Sequence, residues 1–183
     1  MTIEAGPAEL FTTAAHAADV PALVELVNGA YRGTPSRRGW TSEADLVGGP
    51  RIDGARLAGL IATPESAVLV LRAQAGLFAC AHVAKRGEGV ACLGLLGVRP
   101  ALQGSGIGRR MLTAAERYAC EHFGARVMEL TVLSAREELI AWCERRGYAA
   151  TGETRAFPRG DDSIGVPARD DLALVVMARR LES

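Results

Sequence analysis

The chain has 183 residues, a length that fits one domain, because single domains commonly hold about 100–200 residues. Hydrophobic residues form 49% of the chain and charged residues 23%, a composition that excludes a disordered or fibrous protein. Basic and acidic residues number 21 each, so no net charge favours nucleic acid or an anionic membrane. We therefore expect one globular domain over residues 1–183, with neither nucleic acid nor membrane as a partner.

The first part of the chain is predicted to be helical. Asp19 is a suitable N-cap, Pro21 fits a first turn, and apolar residues then recur at helical spacing as far as Tyr31. After a loop, Ser42 and Asp45 have the spacing of a capping box. They predict a second helical segment, which is interrupted by Gly-Gly-Pro and ends before Thr-Pro.

The middle of the chain changes to strand periodicity. Residues 68–71 and 77–83 predict two strands of a hairpin, and residues 90–98 predict a strand that is covered on both faces. A glycine-rich loop over residues 103–108 then leads into an amphipathic helix that Gly124 ends. This order of elements indicates a layered α/β structure.

The last third continues that pattern with a strand, a helix and two further strands. Their predicted ranges are 127–133, 137–146, 148–155 and 172–177. The loop over residues 157–171 carries four aspartates, which suit attraction of a cationic amine, solvation or a dimer contact equally well. Together the elements predict a single α/β domain with a mixed sheet.

Four cysteines and three histidines are scattered along the chain without the spacing of a metal site. The cysteines stand at positions 80, 92, 120 and 143, and no two form a CxxC pair. The first residues lack a signal-peptide pattern, and residues 90–98 are far shorter than the roughly 20 residues of a membrane span. We expect a cytoplasmic protein without bound metal or disulfides.

The glycine-rich loop carries the most specific chemistry. Gly104, Gly106 and Gly108 allow positive φ and have no Cβ, so backbone N–H groups can converge at the start of the next helix. The helix dipole favours an anion there, which predicts a phosphate or diphosphate site; a tight turn without a ligand is the alternative. A P-loop would need a lysine after the glycines, and Arg109 replaces the third glycine of a dinucleotide motif.

Two sequence blocks resemble motifs of the GNAT (Gcn5-related N-acetyltransferase) superfamily. QGSGIG at residues 103–108, preceded by LGVRP, resembles the acetyl-coenzyme-A motif [QR]xxGx[GA]. LTV at residues 130–132, followed by WCERRGY at 142–148, is similar to the block LxV…N…Y…GF. The order of predicted elements is similar to the whole GNAT fold.

The resemblance implies an α/β (α+β) fold with a mixed, mostly antiparallel central sheet, a splayed strand pair and helices on both faces. It implies an N-acetyltransferase that moves the acetyl group of acetyl-CoA to a primary amine of a small molecule or peptide. The transfer would proceed by direct attack in a ternary complex, without a metal, and a homodimer is the oligomer that the family suggests. The alternative is a non-catalytic acyl-CoA-binding or regulatory module on the same fold.

The resemblance also assigns cofactor-binding residues. Backbone groups of the splayed strand would hold pantetheine, and the loop amides would hold the diphosphate. The residues so assigned are Leu96, Gly97, Val98, Gln103, Gly104, Ser105, Gly106, Ile107, Gly108 and Arg109. Arg136 occupies the position of the family's asparagine, and we expect it to contact the cofactor in its place.

Two residues are candidates for proton transfer. Cys143 occupies the position of a tyrosine that protonates the departing thiolate in many members, and a thiol has a reference pKa near about 8.5 that suits this role. The alternative is a buried small hydrophobic residue.

An alkylammonium has a pKa of about 10.4 and must lose a proton before it attacks. Glu129 is the candidate base that takes this proton. The alternative for Glu129 is a carboxylate held by a neighbouring arginine, and Glu88 and Glu144 are weaker candidates.

The loop after the first helix borders the acceptor pocket in the family. Tyr31, Arg38 and Trp40 are therefore assigned to acceptor binding, and the arginine pair at 37–38 suits an acceptor with a carboxylate. The alternative is a solvated loop with the tryptophan packed on the core. A cysteine hydrolase built on Cys143 is disfavoured, because the sequence supports no histidine or asparagine partner.

Overall fold

The computed structural model describes residues 10–74, 76–158 and 164–182. Within these ranges the helices are α1 (Val20–Tyr31), α2 (Gly54–Ala62), α3 (Ile107–Phe123) and α4 (Glu137–Glu144). The strands are β1 (Phe11–Ala14), β2 (Val47–Gly48), β3 (Ser66–Ala73), β4 (Gly76–Gly87), β5 (Val90–Val98), β6 (Val127–Leu133), β7 (Ala149–Ala156), β8 (Val166–Pro167) and β9 (Ala173–Arg180).

Seven of these strands form one sheet in the order β1-β3-β4-β5-β6-β9-β7. Each neighbouring pair is antiparallel except β5 and β6, which are parallel because α3 crosses over between them. Strands β2 and β8 form a separate antiparallel pair. The mixed, mostly antiparallel sheet that the resemblance implies is confirmed.

Helices cover both faces of the sheet, as expected. On one face, apolar residues of α1 and α2 pack against β3 and β4, and on the other face α3 and α4 pack against the centre of the sheet. The first core includes Leu23, Leu26, Val27, Leu57, Val68, Val70 and Leu95. The second includes Leu93, Met111, Leu112, Ala115, Ala119, Met128, Leu130 and Cys143. The 3.6-residue spacing within α1 and α3 places these side chains on one side of each helix.

The parallel pairing of β5 with β6 ends halfway along β5. Pairing between β5 and β6 runs from Val90 opposite Val127 to Leu93 opposite Leu130. Beyond that point β5 contains a bulge, in which Leu95 has φ +48° and the register with β4 shifts. Because a bulge adds one residue to the alternation, Leu93 packs towards α3 while Leu95 packs towards α1. The splayed strand pair is therefore present, with an open edge on β5.

The predicted helix at Ser42–Asp45 is wrong. This segment is a turn in which Ser42 Oγ accepts a hydrogen bond from the amide of Ala44 at 3.1 Å. Such local side-chain bonds compete with a helix, and the helix begins instead after Asp53, which caps the amide of Arg56 at 2.8 Å.

Three short strands were missing from the sequence prediction, because β1 lies exposed at the sheet edge and β2 and β8 have two residues each.

Of the acidic loop over residues 157–171, positions 159–163 lie outside the described residues. The described helices include none that is long and apolar enough to span a bilayer. Nor do the described residues include three metal-ligating side chains that are close enough to share a metal ion.

Candidate active site

A cavity of ≈ 490 Å³ opens where β5 and β6 diverge. Its walls are the open edge of β5, the glycine loop before α3, the inner side of α4 and the loop after α1. Most of the residues that the sequence assigned to a site line this cavity. They are Tyr31, Trp40, Leu96, Gly97, Val98, Gln103, Gly104, Gly106, Gly108, Arg109, Arg136 and Cys143. Four assigned residues do not line it, namely Arg38, Ser105, Ile107 and Glu129.

The glycine loop and the start of α3 bring main chain to the cavity wall at Gly104, Gly106, Gly108 and Arg109. Gly104 and Gly106 have φ values of +81° and +85°, which favour glycine, and Gly106 is the N-cap of α3. The amide of Arg110 makes the first helical bond, to the carbonyl of Gly106 at 3.0 Å, so the preceding amides of the first turn have no partner within the helix. These N–H groups and the positive end of the helix dipole are the kind of donors that favour an anion.

Ser105 and Ile107 support this loop from outside the cavity. The hydroxyl of Ser105 donates to the carbonyl of Leu102 at 2.6 Å, and Ile107 packs on the apolar core beneath α3. Gly108 differs from the other two glycines, since a Cβ there would lie 3.6 Å from Trp142 and Val98, an ordinary contact. The loop therefore requires glycine for its backbone conformation at two of its three glycines.

Two arginines add positive charge next to these amides. Arg109 lies on the first turn of α3, and Arg146 follows α4. The Arg146 guanidinium stacks 3.6 Å from the centre of the Trp142 ring and donates to the carbonyl of Trp142 at 2.8 Å. Burial, together with the charges of Arg145 and Arg109, lowers the pKa of Arg146. Arg146 could not be assigned from the sequence, because nothing in a pair of arginines at a helix end shows which one faces a cavity.

Tyr31 closes the cavity against the open edge of β5. Its hydroxyl donates to the carbonyl of Leu96 at 3.1 Å, and burial raises the pKa of Tyr31 to about 12. Tyr31 is therefore a neutral phenol at physiological pH and fixes the end of α1 to the strand.

Gln103 bridges the two loops of the cavity. Its Oε1 accepts a hydrogen bond from the amide of Trp40 at 2.6 Å, and its Nε2 donates to the carbonyl of Val98 at 3.3 Å. A Cβ at Gly39 would lie 2.6 Å from the Oε1 atom of Gln103, so a larger residue at this position would displace the glutamine side chain. The side chain thus joins the loop after α1 to the end of β5.

A buried ion triad lies at the base of the cavity. The carboxylate of Glu43 contacts Arg136 Nη1 at 2.8 Å and Arg32 Nε at 3.1 Å, and the three side chains are only 5–8% exposed. The Arg136 Nη2 atom donates to the hydroxyl of Thr41 at 2.9 Å. Burial lowers the pKa of Arg32, and the charge of Glu43 opposes that shift.

Arg51 lies beside this triad. Its guanidinium carbon is 5.4 Å from the centre of the Tyr31 ring. Trp40, which is 48% exposed, forms part of the wall of the same cavity.

The sequence model of the acetyltransferase (GNAT) family matches residues 30–148, which is more than half of the chain. The chain belongs to this family. No curated protein matches this GNAT chain.

Several solved structures share the GNAT fold over nearly the whole chain. One is the ribosomal-protein-S18-alanine N-acetyltransferase from Escherichia coli, with 18% identity, 96% of each chain covered and a TM-score of 0.67. Another is a spermidine N-acetyltransferase mutant from Vibrio cholerae, with 14% identity, 94% of each chain covered and a TM-score of 0.68. A third, from Salmonella typhimurium, holds acetyl-CoA as its cofactor and has 21% identity, 95% of each chain covered and a TM-score of 0.66.

Cys143 lies in the cavity wall of this GNAT domain but is 3% exposed and packed in the apolar core. Burial raises the pKa of Cys143 to about 11. An ordinary thiol, with a pKa of about 8.5, is a stronger acid than this. Proton transfer from Cys143 to a departing thiolate would therefore be uphill, which favours the alternative of a small apolar side chain.

Glu129, the expected base, lies elsewhere on the sheet. It stands opposite Cys92 on the closed part of the parallel pair and contacts Arg86 Nη1 at 3.3 Å. Glu43 is instead the carboxylate that lines the described part of the cavity. Glu43 was not assigned to a site from the sequence, because the segment that carries it has the pattern of a short helix.

The arginine pair of the loop after α1 does not enter the cavity. Arg37 contacts Asp45 at 2.7 Å on the surface, and Arg38 is exposed. The arginines that do line this GNAT cavity near the end of α1 are Arg32, Arg51 and Arg136, none of which was expected from the sequence to bind the acceptor.

Proposed function

We propose that this GNAT chain transfers the acetyl group of acetyl-CoA to a primary amine of a small molecule or peptide, by direct attack in a ternary complex. One observation carries the proposal: the unpaired amides at the start of α3 and the open edge of β5 meet in a single cavity. An anion site continuous with an unpaired strand edge suits a long cofactor that has a diphosphate at one end and amides along its length.

The donor set fits this cofactor. The amides of Gly108 and Arg109 would bind the diphosphate, and the Arg109 and Arg146 side chains would add charge beside it. Backbone groups of β5 near Leu96, Gly97 and Val98 would bind the pantetheine arm between the splayed strands. When bound, acetyl-CoA supplies a thioester whose sulfur leaves as a thiolate.

The amine has to lose a proton in the course of the reaction. Both oxygens of Glu43 already accept hydrogen bonds from guanidinium groups. We therefore propose that water in the cavity, rather than this carboxylate, takes the proton from the amine. Because a departing thiolate is stable near neutral pH, the chain needs no strong acid beside the sulfur.

Two measurements test this function. Titration calorimetry should detect binding of CoA and acetyl-CoA, and free-thiol release from acetyl-CoA should require an amine. Absence of heat with both ligands would contradict the proposal. Binding without thiol release across a broad amine panel would instead assign a non-catalytic acyl-CoA-binding module.

A further inference from the structure

The acceptor side of the cavity carries more positive than negative charge. Arg32, Arg51 and Arg136 line it, and within the described ranges Glu43 is the carboxylate that faces them. Three guanidinium groups against one carboxylate leave two positive charges that no described residue compensates. A cationic polyamine would be repelled by this charge, whereas an anionic group would be attracted.

The three guanidinium groups differ in what they contact. Arg32 donates to the carboxylate of Glu43 and, through Nη1, to the carbonyls of Pro50 at 3.0 Å and Ile164 at 2.7 Å. Both Nη groups of Arg136 are bound, to Glu43 and to a threonine hydroxyl. In the part of the chain that the structure describes, the guanidinium of Arg51 has an aromatic contact and no carboxylate partner.

The backbone of Arg51 is nevertheless held in place. Asn28 on α1 accepts hydrogen bonds from the amides of Arg51 at 2.7 Å and Ile52 at 3.2 Å, and donates to the carbonyl of Ile52 at 2.9 Å. A guanidinium whose main chain is fixed and whose donors are available is preorganised for a planar anion. Its five N–H donors match a carboxylate in bidentate geometry.

One tyrosine ring separates this guanidinium from the parted strands. The hydroxyl end of Tyr31 is bound to the carbonyl of Leu96 at 3.1 Å, and the Arg51 guanidinium carbon lies 5.4 Å from the centre of the same ring. A compact molecule can therefore place an amine near the open edge of β5 and an anionic group against Arg51.

We infer that the acceptor is an amine that bears a carboxylate, an amino acid or a close relative of one, and that Arg51 binds this carboxylate. The inference rests on the proposed acetyl transfer and names its substrate class. It also moves the carboxylate site expected from the sequence away from the exposed pair at residues 37–38.

The test compares acids with their neutral counterparts. Amino acids, including β- and γ-amino acids, are assayed beside their carboxamides and beside spermidine, with free-thiol release as the readout. We expect at least one acid to react with a kcat/KM at least tenfold above that of its carboxamide, and spermidine to react poorly. Equal rates for acids and carboxamides, or a preference for spermidine, would overturn the inference.

Substitution of the arginine locates the carboxylate. In Arg51→Gln we expect the acceptor KM to rise by about 10- to 100-fold, the loss typical of a charge-assisted hydrogen bond, with an unchanged Kd for acetyl-CoA. Arg117→Gln, on the exposed side of α3, is the matched control and should behave as the wild type. A weakened acetyl-CoA complex in Arg51→Gln would show that Arg51 serves the cofactor, and would refute the assignment.

A binding measurement separates failure of this inference from failure of the proposed function. Calorimetry on the CoA-saturated protein reports amino-acid binding without any turnover. Binding that is lost in Arg51→Gln would support the carboxylate site even if no thiol were released with any amine. Absence of amino-acid binding in the wild type would refute the site.

Discussion

At the scale of single residues, the cavity is built from side chains whose burial decides their chemistry. Tyr31 and Cys143 both line it, and burial raises the pKa of Tyr31 to about 12 and that of Cys143 to about 11. Both groups therefore stay protonated between pH 6 and 9, and neither gains or loses charge over the range in which an acetyltransferase would be assayed. The two side chains therefore contribute to the shape of the cavity and to the orientation of its walls.

Cys143 provides a direct test of this view. We expect Cys143→Ala to keep kcat within about threefold of the wild type, because the buried thiol is too weak an acid to protonate the leaving group. The lost sulfur atom should cost about 1 kcal/mol of stability, as small truncations in a packed core do. Steady-state thiol release and chemical denaturation measure the two effects. A fall in kcat of tenfold or more, with acetyl-CoA binding intact, would restore the proton-donor role.

Residues that belong to a sequence motif could be predicted. Residues that reach the cavity only through the tertiary fold could not. The glycines and Gln103 stand at fixed spacing, so the sequence placed them at the cavity. Glu43 and Arg51 lie in irregular segments, where neither periodicity nor spacing indicates the direction of a side chain. Glu129 was a reasonable candidate by position on a strand, yet its strand carries it along the closed half of the parallel pair.

At the scale of elements, the strand–loop–helix unit of β5 and α3 is the part that sequence alone predicted best. Its strand is long and apolar, its helix has a regular apolar face, and the loop between them contains the motif. The bulge at Leu95 was not predictable, since leucine rarely adopts a left-handed conformation and gives no signal of one. The edge strand β1 was missed because four mostly exposed residues show no alternation.

The glycine loop allows a matched comparison of two substitutions. Gly106 has φ +85°, so Gly106→Ala should lose about 1–2 kcal/mol of stability and weaken CoA binding. Gly108 lies inside α3 with ordinary space for a Cβ, so Gly108→Ala should be neutral or stabilise the protein by up to about 1 kcal/mol. Denaturation curves and CoA calorimetry on both variants give the answer. Equal effects at the two positions would mean that backbone conformation does not determine where the loop requires glycine.

At the scale of the whole molecule, the triad of Arg32, Glu43 and Arg136 joins distant parts of the chain. Arg32 follows α1 and also holds the carbonyl of Ile164, while Arg136 precedes α4. Removal of the negative charge would leave two guanidinium groups buried without neutralisation, which is costly in a poorly solvated environment. The triad therefore couples the integrity of the cavity to the stability of the fold.

This coupling predicts a large effect for one substitution and a small effect for its neighbour. We expect Glu43→Gln to lower the free energy of unfolding by about 3 kcal/mol. Asp45→Asn removes one partner of the exposed pair with Arg37, whose side chains are 54% and 79% exposed, and should cost less than about 1 kcal/mol. Urea denaturation of the two variants measures both losses in the free energy of unfolding. Similar losses would show that the buried triad stabilises the fold no more than the exposed pair of Arg37 and Asp45.

The bridge made by Gln103 has a consequence for attempts to change the substrate range. Transplanting a loop from a relative between Tyr31 and Trp40 would also affect the glycine loop, because a side chain in place of Gly39 would displace the Gln103 carboxamide that accepts the amide of Trp40. Libraries that randomise this loop should therefore hold position 39 fixed, or vary it together with position 103. Under the proposed function, changes to the acceptor specificity and to the cofactor affinity are therefore a single design problem.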